Sequence, residues 1–277
     1  EGGKAKRAGE HHEMLTNCLS AASAALVISS SHIVPRSTFE ARGINGYDEF
    51  SAAEESTVNM MFLTEFYRNA PPDCLDGYKS NQAFIASIDG LLTFLKVASG
   101  DLFETCGSAL LACNSRSDFI HDLTSGKNIL IEKCRVDGNA CSHMIEAAMM
   151  LLNENTGSKG DVQFLHGVLN FFESCFSSTT TADAMYTNDV NVLIDISLRE
   201  ALDLPPLSGV RAKYVRVLHL VMLNSKSWSE GKYRRKEIKG MVEGFVDAGR
   251  AEMGDATMDE LDDLLADCLG MLEEDEA

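Results

Sequence analysis

The chain has 277 residues, of which 45 % are apolar and 24 % charged, and its formal net charge is −18. That is ordinary globular composition over enough length to bury a sizeable core, so global disorder, collagen-like structure and a disulfide mini-scaffold are excluded. The acidic total also excludes an ordinary nucleic-acid binder, which needs basic surface to displace counterions.

The opening Glu1, Gly2, Gly3, Lys4 leads into Lys and Arg rather than an apolar run, so no secretory signal is expected. Residues 1–15 are expected to fray, and 16–272 to form one helical domain with an acidic tail at 273–277. The Ala/Ser-rich stretch from Cys18 to Val34 is too polar and short for a membrane span and reads as a buried helix. Ser37 with Glu40, Ser51 with Glu54, Asp101 with Glu104 and Thr257 with Glu260 have the capping-box spacing of helix starts. The five prolines, at 35, 71, 72, 205 and 206, fall at or near the ends of periodic windows.

Apolar residues then recur at helical spacing. Phe84, Ile88, Leu91, Leu92 and Leu95 share one face, and Gly100 can end that helix in the left-handed conformation. Leu102, Phe103, Cys106, Ala109, Leu110 and Cys113 form the next face. Residues 128–134 give the one strand-like window, with no second strand nearby to pair with it. Met144, Ile145, Ala148, Met149 and Leu152 return to the helical period, as do Val190, Leu193, Ile194, Leu198, Ala201 and Leu202. Val210, Tyr214, Val217, Leu218, Val221 and Met222 follow, then Ile238, Met241, Val242, Phe245 and Val246. A last amphipathic helix carries Met258, Leu261, Leu264, Leu265, Cys268, Leu269 and Leu272 opposite Asp and Glu. The bland reading of that helix is a cap over the core, the sharper one a helix that docks in a partner groove. Roughly ten helices, starting about every 20 residues, predict an all-α fold with the pitch of an armadillo/HEAT-like α-solenoid. A compact bundle is the alternative.

Charge is uneven. Residues 211–250 hold 10 basic and 4 acidic side chains, and residues 251–277 hold 11 acidic and no basic ones. Arg211, Lys213 and Arg216 share one helix, and Lys226, Lys232, Arg234, Arg235, Lys236 and Lys239 follow around Trp228. This segment reads either as a surface for an acidic partner or as a solvated face neutralised by the acidic end.

Catalytic motifs are missing: no G-x-S-x-G, no phosphate-binding loop and no dinucleotide fingerprint occurs. Gly157 to Gly160 reads as a plain loop, and His11, His12, Glu13 as a polar terminus. The eight cysteines include no C-x-x-C pair and read as reduced core thiols. Cys141 and His143 form the one pair that thiolate chemistry could use, but residues two apart on a helix do not face each other. No enzyme, cofactor, metal site or membrane span is therefore assigned.

The run Tyr186, Thr187, Asn188, Asp189, Val190, with the Ile/Leu/Asp helix behind it, is the most distinctive stretch. Together with 198–204, 214–218 and 233–238 it resembles the leucine-rich domain of the WISH/DIP/SPIN family, which includes the vertebrate NCK-interacting protein with an SH3 domain and short fungal relatives. The resemblance implies an armadillo-like domain that binds the Arp2/3 complex and activates it without a preformed filament. Linear actin filaments in cytoplasmic, cortical actin structures would result, with filaments engaged only indirectly. It implies no covalent chemistry. The competing binding-class reading is a generic armadillo adaptor, such as a formin-like regulatory domain, that takes a peptide or helix.

Within the motif, Asn188 or Asp189 is expected to cap a helix beginning near Val190, Tyr186 and Thr187 to pack over its first turn, and Asp195 to pair with Arg199 four residues on. These read as structural. Arg199, Arg211, Lys213, Arg216, Arg234 and Arg235 are the candidates for partner contact. The sequence departs from the family in having no SH3 domain and no Pro-rich segment, and in Pro205 and Pro206 between the two key helices. Its acidic end lacks Trp, so it is not read as a WASP-type tail. The oligomeric state, monomer or homodimer, stays open.

Overall fold

The computed structural model describes residues 60, 63–64, 82–115, 127–155, 162–205, 208–252 and 259–273. Their secondary structure is eleven helices and connecting turns, so the fold is all-α among the described residues. In chain order the helices are α1 (Gln82–Leu95), α2 (Asp101–Asn114), α3 (Ile129–Val136), α4 (Gly138–Glu154), α5 (Val162–Phe176), α6 (Thr179–Ala182), α7 (Thr187–Asp203), α8 (Gly209–Asn224), α9 (Lys226–Gly231), α10 (Arg235–Glu252) and α11 (Asp259–Glu273). The expected helix starts at Ser37, Ser51 and Thr257 lie outside the described residues, as does the window from Cys18 to Val34.

The chain divides into two compact units, with the division between Leu151 and Leu152 inside α4. In the first, Ile88, Leu91, Leu92 and Leu95 of α1 are buried, as are Cys106, Ala109, Leu110 and Cys113 of α2 and Met144, Ile145 and Ala148 of α4. Cys106 Sγ donates to the Leu91 carbonyl at 3.2 Å, joining α2 to α1. Gly107 sets the approach of α2 to α4. A Cβ added there would lie 2.7 Å from Ala147 Cβ, well inside contact distance.

The strand-like window is helical. Asn128 caps α3, its side chain accepting from Ile131 N at 3.2 Å and donating to Asn114 Oδ1 at 2.8 Å. A strand needs a neighbour for its backbone groups, and here the cap and the helix supply those partners locally. At the far end of α3, Asp137 Oδ1 accepts from Ala140 N at 3.0 Å and so caps α4, while Lys96 pairs with its other oxygen at 2.7 Å. The Lys96 hydrogen bond holds the Asp137 carboxyl below its ordinary range. Two other start signals differ from expectation. Asp101 is the first residue of α2 rather than its cap, and Gly100 takes the N-cap position with φ 56°. Its positive φ serves the start of α2 rather than the end of α1, which stops at Leu95.

In the second unit α8 is the central helix. It packs against α5, α7 and α11, with α6 and α9 touching it at the sides. Val210, Tyr214, Val217, Leu218, Val221 and Met222 are buried as their spacing predicts, and Val215 with them. Helix α5 brings the densest aromatic content, with Phe164, Phe171, Phe172 and Phe176 all buried and Phe171 edge-on to Phe172 at 5.7 Å. Asn224 at the end of α8 donates to the Phe176 carbonyl at 2.7 Å, satisfying one of the orphan carbonyls at the end of α5. Helix α11 lies against α8 and α10 with Leu265, Cys268 and Leu272 buried. The capping role of the acidic helix is thereby seen directly: its apolar side closes this unit and Asp262, Asp263 and Asp267 face outward.

Two measurements check this account. Gly107→Ala gains helix propensity yet loses stability, by about 1–2 kcal/mol, because the new methyl overpacks α2 against α4. Adding Ala147→Gly recovers part of the loss, and denaturant unfolding reads both. Separately, burial pushes the His219 imidazole of α8 down, with Asp267 of α11 raising it and Arg216 lowering it. A depressed folded value means the unfolded chain binds the proton more readily. Stability is full above the ordinary histidine range and falls as pH drops through it toward the depressed value. Melting between pH 7.5 and 5.5 should show this loss, reduced in His219→Gln.

Candidate partner-binding surface

The distinctive motif opens α7. That helix begins at Thr187, with Tyr186 at the N-cap and no side-chain cap bond. Asn188 and Asp189 therefore lie within the first turn and neither is the cap. Asp189 still places a negative charge at the positive end of the helix, a contribution of about 0.3–1 kcal/mol. Tyr186 is 72 % exposed and does not pack over the turn. Thr187 instead lies 3.1 Å from the Ser227 hydroxyl, linking the start of α7 to the start of α9.

Asp195 also has a partner other than the expected one. It does not pair with Arg199. Its Oδ2 accepts from Tyr233 Oη at 3.0 Å and its Oδ1 from Arg234 Nε at 2.9 Å. Arg234 Nη1 also donates to Glu237 at 3.0 Å, and these bonds raise the guanidinium while lowering the Glu237 carboxyl. Asp195 thus fastens α7 to the turn between α9 and α10. That turn is strained: Lys232 (φ 47°) and Arg234 (φ 56°) both adopt positive φ without being glycine. Left-handed geometry costs about 1–2 kcal/mol per such residue. Trp228, 2 % exposed, holds the turn from below. Its Nε1 donates to the Tyr233 carbonyl at 3.1 Å, and the Lys232 ammonium sits 4.5 Å above its ring.

The other candidate cations also find neighbours within this unit. The Arg211 guanidinium lies 3.6 Å over the Phe245 ring, bringing α8 to α10. Lys213 donates to Asn170 and to Glu173 at 3.2 Å, both on α5. Arg235 donates to the Leu272 carbonyl near the end of α11. So four of the six candidate cations, Arg211, Lys213, Arg234 and Arg235, tie helices together. Arg199 and Arg216 present themselves outward from α7 and α8. Arg199 keeps half of its side chain in solvent while its Nε donates to Glu200 at 3.0 Å.

On α7 several exposed residues form one stripe. Asn188, Val192, Arg199 and Leu202 recur at helical spacing, with half-exposed Asp195 between them. Val192 and Leu202 are both large apolar residues left in solvent. This mixed apolar and cationic face is the best-formed candidate surface in the unit. The sequence pattern did not single out Phe245, Asn170 or Glu173 as partners of the basic residues. No local spacing relates Arg211 to a ring 34 positions away or Lys213 to residues 40 and 43 positions back, so only the fold could bring them together.

The alternative Cys141 and His143 pair is not assembled. The Cys141 thiol is hydrogen-bonded to Cys134, which lowers it, and His143 lies edge-on to Phe103 at 6.5 Å. Among the described residues no group of three His, Cys, Asp or Glu is placed to hold a metal ion. None of their helices is long and apolar enough to cross a membrane.

Residues 101–238 match the family model described as SPIN90/Ldb17, leucine-rich domain. The chain belongs to this family. The matched leucine-rich domain begins at the first residue of α2 and ends inside α10, so it contains the α7 stripe and the strained turn. Protein dip1 of Schizosaccharomyces pombe is 27 % identical over 154 residues, which is 53 % of this chain and 39 % of that protein. The chain therefore spans about two fifths of the length of this curated relative.

The fastening of α7 to the turn is open to a double-mutant test. Tyr233→Phe should cost about 1 kcal/mol, the usual net value of one hydrogen bond, and Asp195→Ala more, because it also loses the Arg234 bond. The double variant should cost little more than Asp195→Ala alone, because the bond removed by Tyr233→Phe is already gone. Chemical denaturation of the three variants reads the coupling, and additive losses would show that the bond contributes nothing.

Proposed function

We propose that this protein is a regulator of the actin cytoskeleton that binds the Arp2/3 complex and activates it without a preformed filament, so that linear filaments are seeded. The observation that carries the reading is the match of residues 101–238 to the SPIN90/Ldb17 leucine-rich domain. Similarity to protein dip1 over 154 residues supports it. An armadillo-like stacking of the helices and action at cytoplasmic, cortical actin belong to the same reading.

The mechanism is binding rather than covalent chemistry. The domain must hold the active arrangement of the complex more tightly than the inactive one, since a ligand shifts an equilibrium only by its differential affinity. The surface assigned to this task is the outward face of α7 with Arg216 of α8. Four of the basic residues make contacts that stabilise the unit, so their substitution lowers stability before it lowers affinity. Arg199 and Arg216 are the contact residues in this reading, with Val192 and Leu202 supplying apolar area beside them.

A pyrene-actin assembly assay with purified Arp2/3 complex and no seed filaments tests the proposal. The protein should shorten the lag, and single-filament imaging should show unbranched products. Arg216→Glu should reduce the effect by more than its change in melting temperature accounts for. If the wild-type protein neither binds the complex nor shortens the lag, the reading is wrong.

A further inference from the structure

Two thiols meet where α3 gives way to α4. A single extended residue, Asp137, separates the two helices. Its N–H donates to the Lys133 carbonyl and its carbonyl accepts from Cys141 N, each at 3.0 Å, so both helices end on the same residue. Cys134 lies in the last turn of α3, and Cys141 is the fourth residue of α4. Both are free cysteines, each 1 % exposed, and their thiols are hydrogen-bonded to each other. That bond lowers the Cys141 thiol against the opposing effect of its burial.

Burial alone makes a cysteine inert. Cys106 shows this: its thiol donates to the Leu91 carbonyl, and burial pushes it up so that it stays neutral. Cys141 differs because its neighbour is a second sulfur, the group a disulfide requires. Access to the pair comes through α3. The buried residues of that helix are Leu130 and Cys134, whereas Val136 at its end is 82 % exposed. Its tie to α1, Lys133 with Asp89 at 2.8 Å, is about half exposed and adds little energy. A helix held by so few buried side chains opens locally at far lower cost than the whole fold.

We propose that Cys134 and Cys141 form a reversible disulfide that pins α3 to α4. The oxidant is a small hydroperoxide, in the simplest case hydrogen peroxide. The Cys141 thiolate attacks one peroxide oxygen, an S–O bond forms, the O–O bond breaks, and the hydroxide released takes a proton to become water. The Cys134 sulfur then attacks the Cys141 sulfenic acid, the S–S bond forms, the S–O bond breaks, and a second water leaves with the Cys134 proton. Two thiols and one hydrogen peroxide thus give one disulfide and two waters, the sulfurs losing the two electrons that the peroxide gains. A dithiol reverses the step by exchange and is itself oxidised. The bridge spans only residues 134–141, so it constrains the unfolded chain less than a long loop would and acts chiefly on the opening of α3. This inference is independent of the Arp2/3 reading.

The test treats the native full chain with hydrogen peroxide, alkylates the remaining thiols under denaturing conditions and digests without reduction. Trypsin cuts after Lys133, Arg135 and Lys159, so the two cysteines fall on different peptides unless a bond joins them. The expected product is the dipeptide of Cys134 and Arg135 linked to residues 136–159, released by dithiothreitol. It should form at least tenfold faster than in the urea-unfolded chain, while Cys106 and Cys113 remain alkylatable. Cys141→Ala should abolish the link, and the wild-type map decides the matter if that variant does not fold. Alkylation of both Cys134 and Cys141 after treatment, over-oxidation without a link, or a native rate no faster than the unfolded one would overturn the proposal. In the oxidised protein the amides of α3 should exchange with solvent several-fold more slowly, and unchanged exchange would overturn the pinning of α3.

Discussion

Helix α8 lies at the centre of its unit and carries cations, and much of the second unit follows from that conflict. A helix packed against three others leaves little room for solvated charge. Desolvating a cation is expensive unless a local partner replaces water. Arg211 meets this with the face of Phe245, and Lys213 with an amide and a carboxylate on α5. Arg216 turns outward. Each solution also fixes a neighbour: Arg211 places α10 and Lys213 places α5. The basic segment that first suggests a partner surface is thus largely a set of internal ties.

The same logic extends to the connection that follows. Asp195, Tyr233, Arg234 and Glu237 join α7 to the start of α10 over a turn with two positive-φ residues. The strain persists because Trp228 and Asp195 hold the turn from two sides. Arg234 and Asp195 are each half exposed, so their ion pair adds little energy but fixes direction. The acidic end is neutralised in part by position: α11 packs on the helices of the basic segment, with its carboxylates toward solvent.

Much of the helical organisation was legible in the sequence because it depends on local periodicity. The apolar faces of α1, α2, α4, α7, α8 and α10 follow from three- and four-residue spacing, and the buried residues agree with it except at Leu202, expected on the buried face of α7 but left in solvent at its last turn. The failures have local physical causes. Residues 128–134 are too short for periodicity to separate strand from helix, and the cap that settles the matter needs Asn114 from another helix. The expected Asp195–Arg199 pair rested on spacing alone, and a tyrosine hydroxyl and a second arginine, both distant in sequence, displace it. Helix α5, which builds the aromatic wall against α8, was not singled out in advance, although Phe164, Val168, Phe171, Phe172 and Cys175 follow the same three- and four-residue spacing. The candidate surface was legible as a list of cations, but which of them reach solvent depended on contacts between helices.

The chain has a single tryptophan, and Trp228 is buried in the second unit beneath the Lys232 ammonium. Indole emission therefore reports one place only, the junction of α9 and α10, and is blind to events confined to α1–α3. Far-ultraviolet dichroism, by contrast, sums every helix. Comparing the two signals during unfolding resolves whether the units melt together, without any label being introduced.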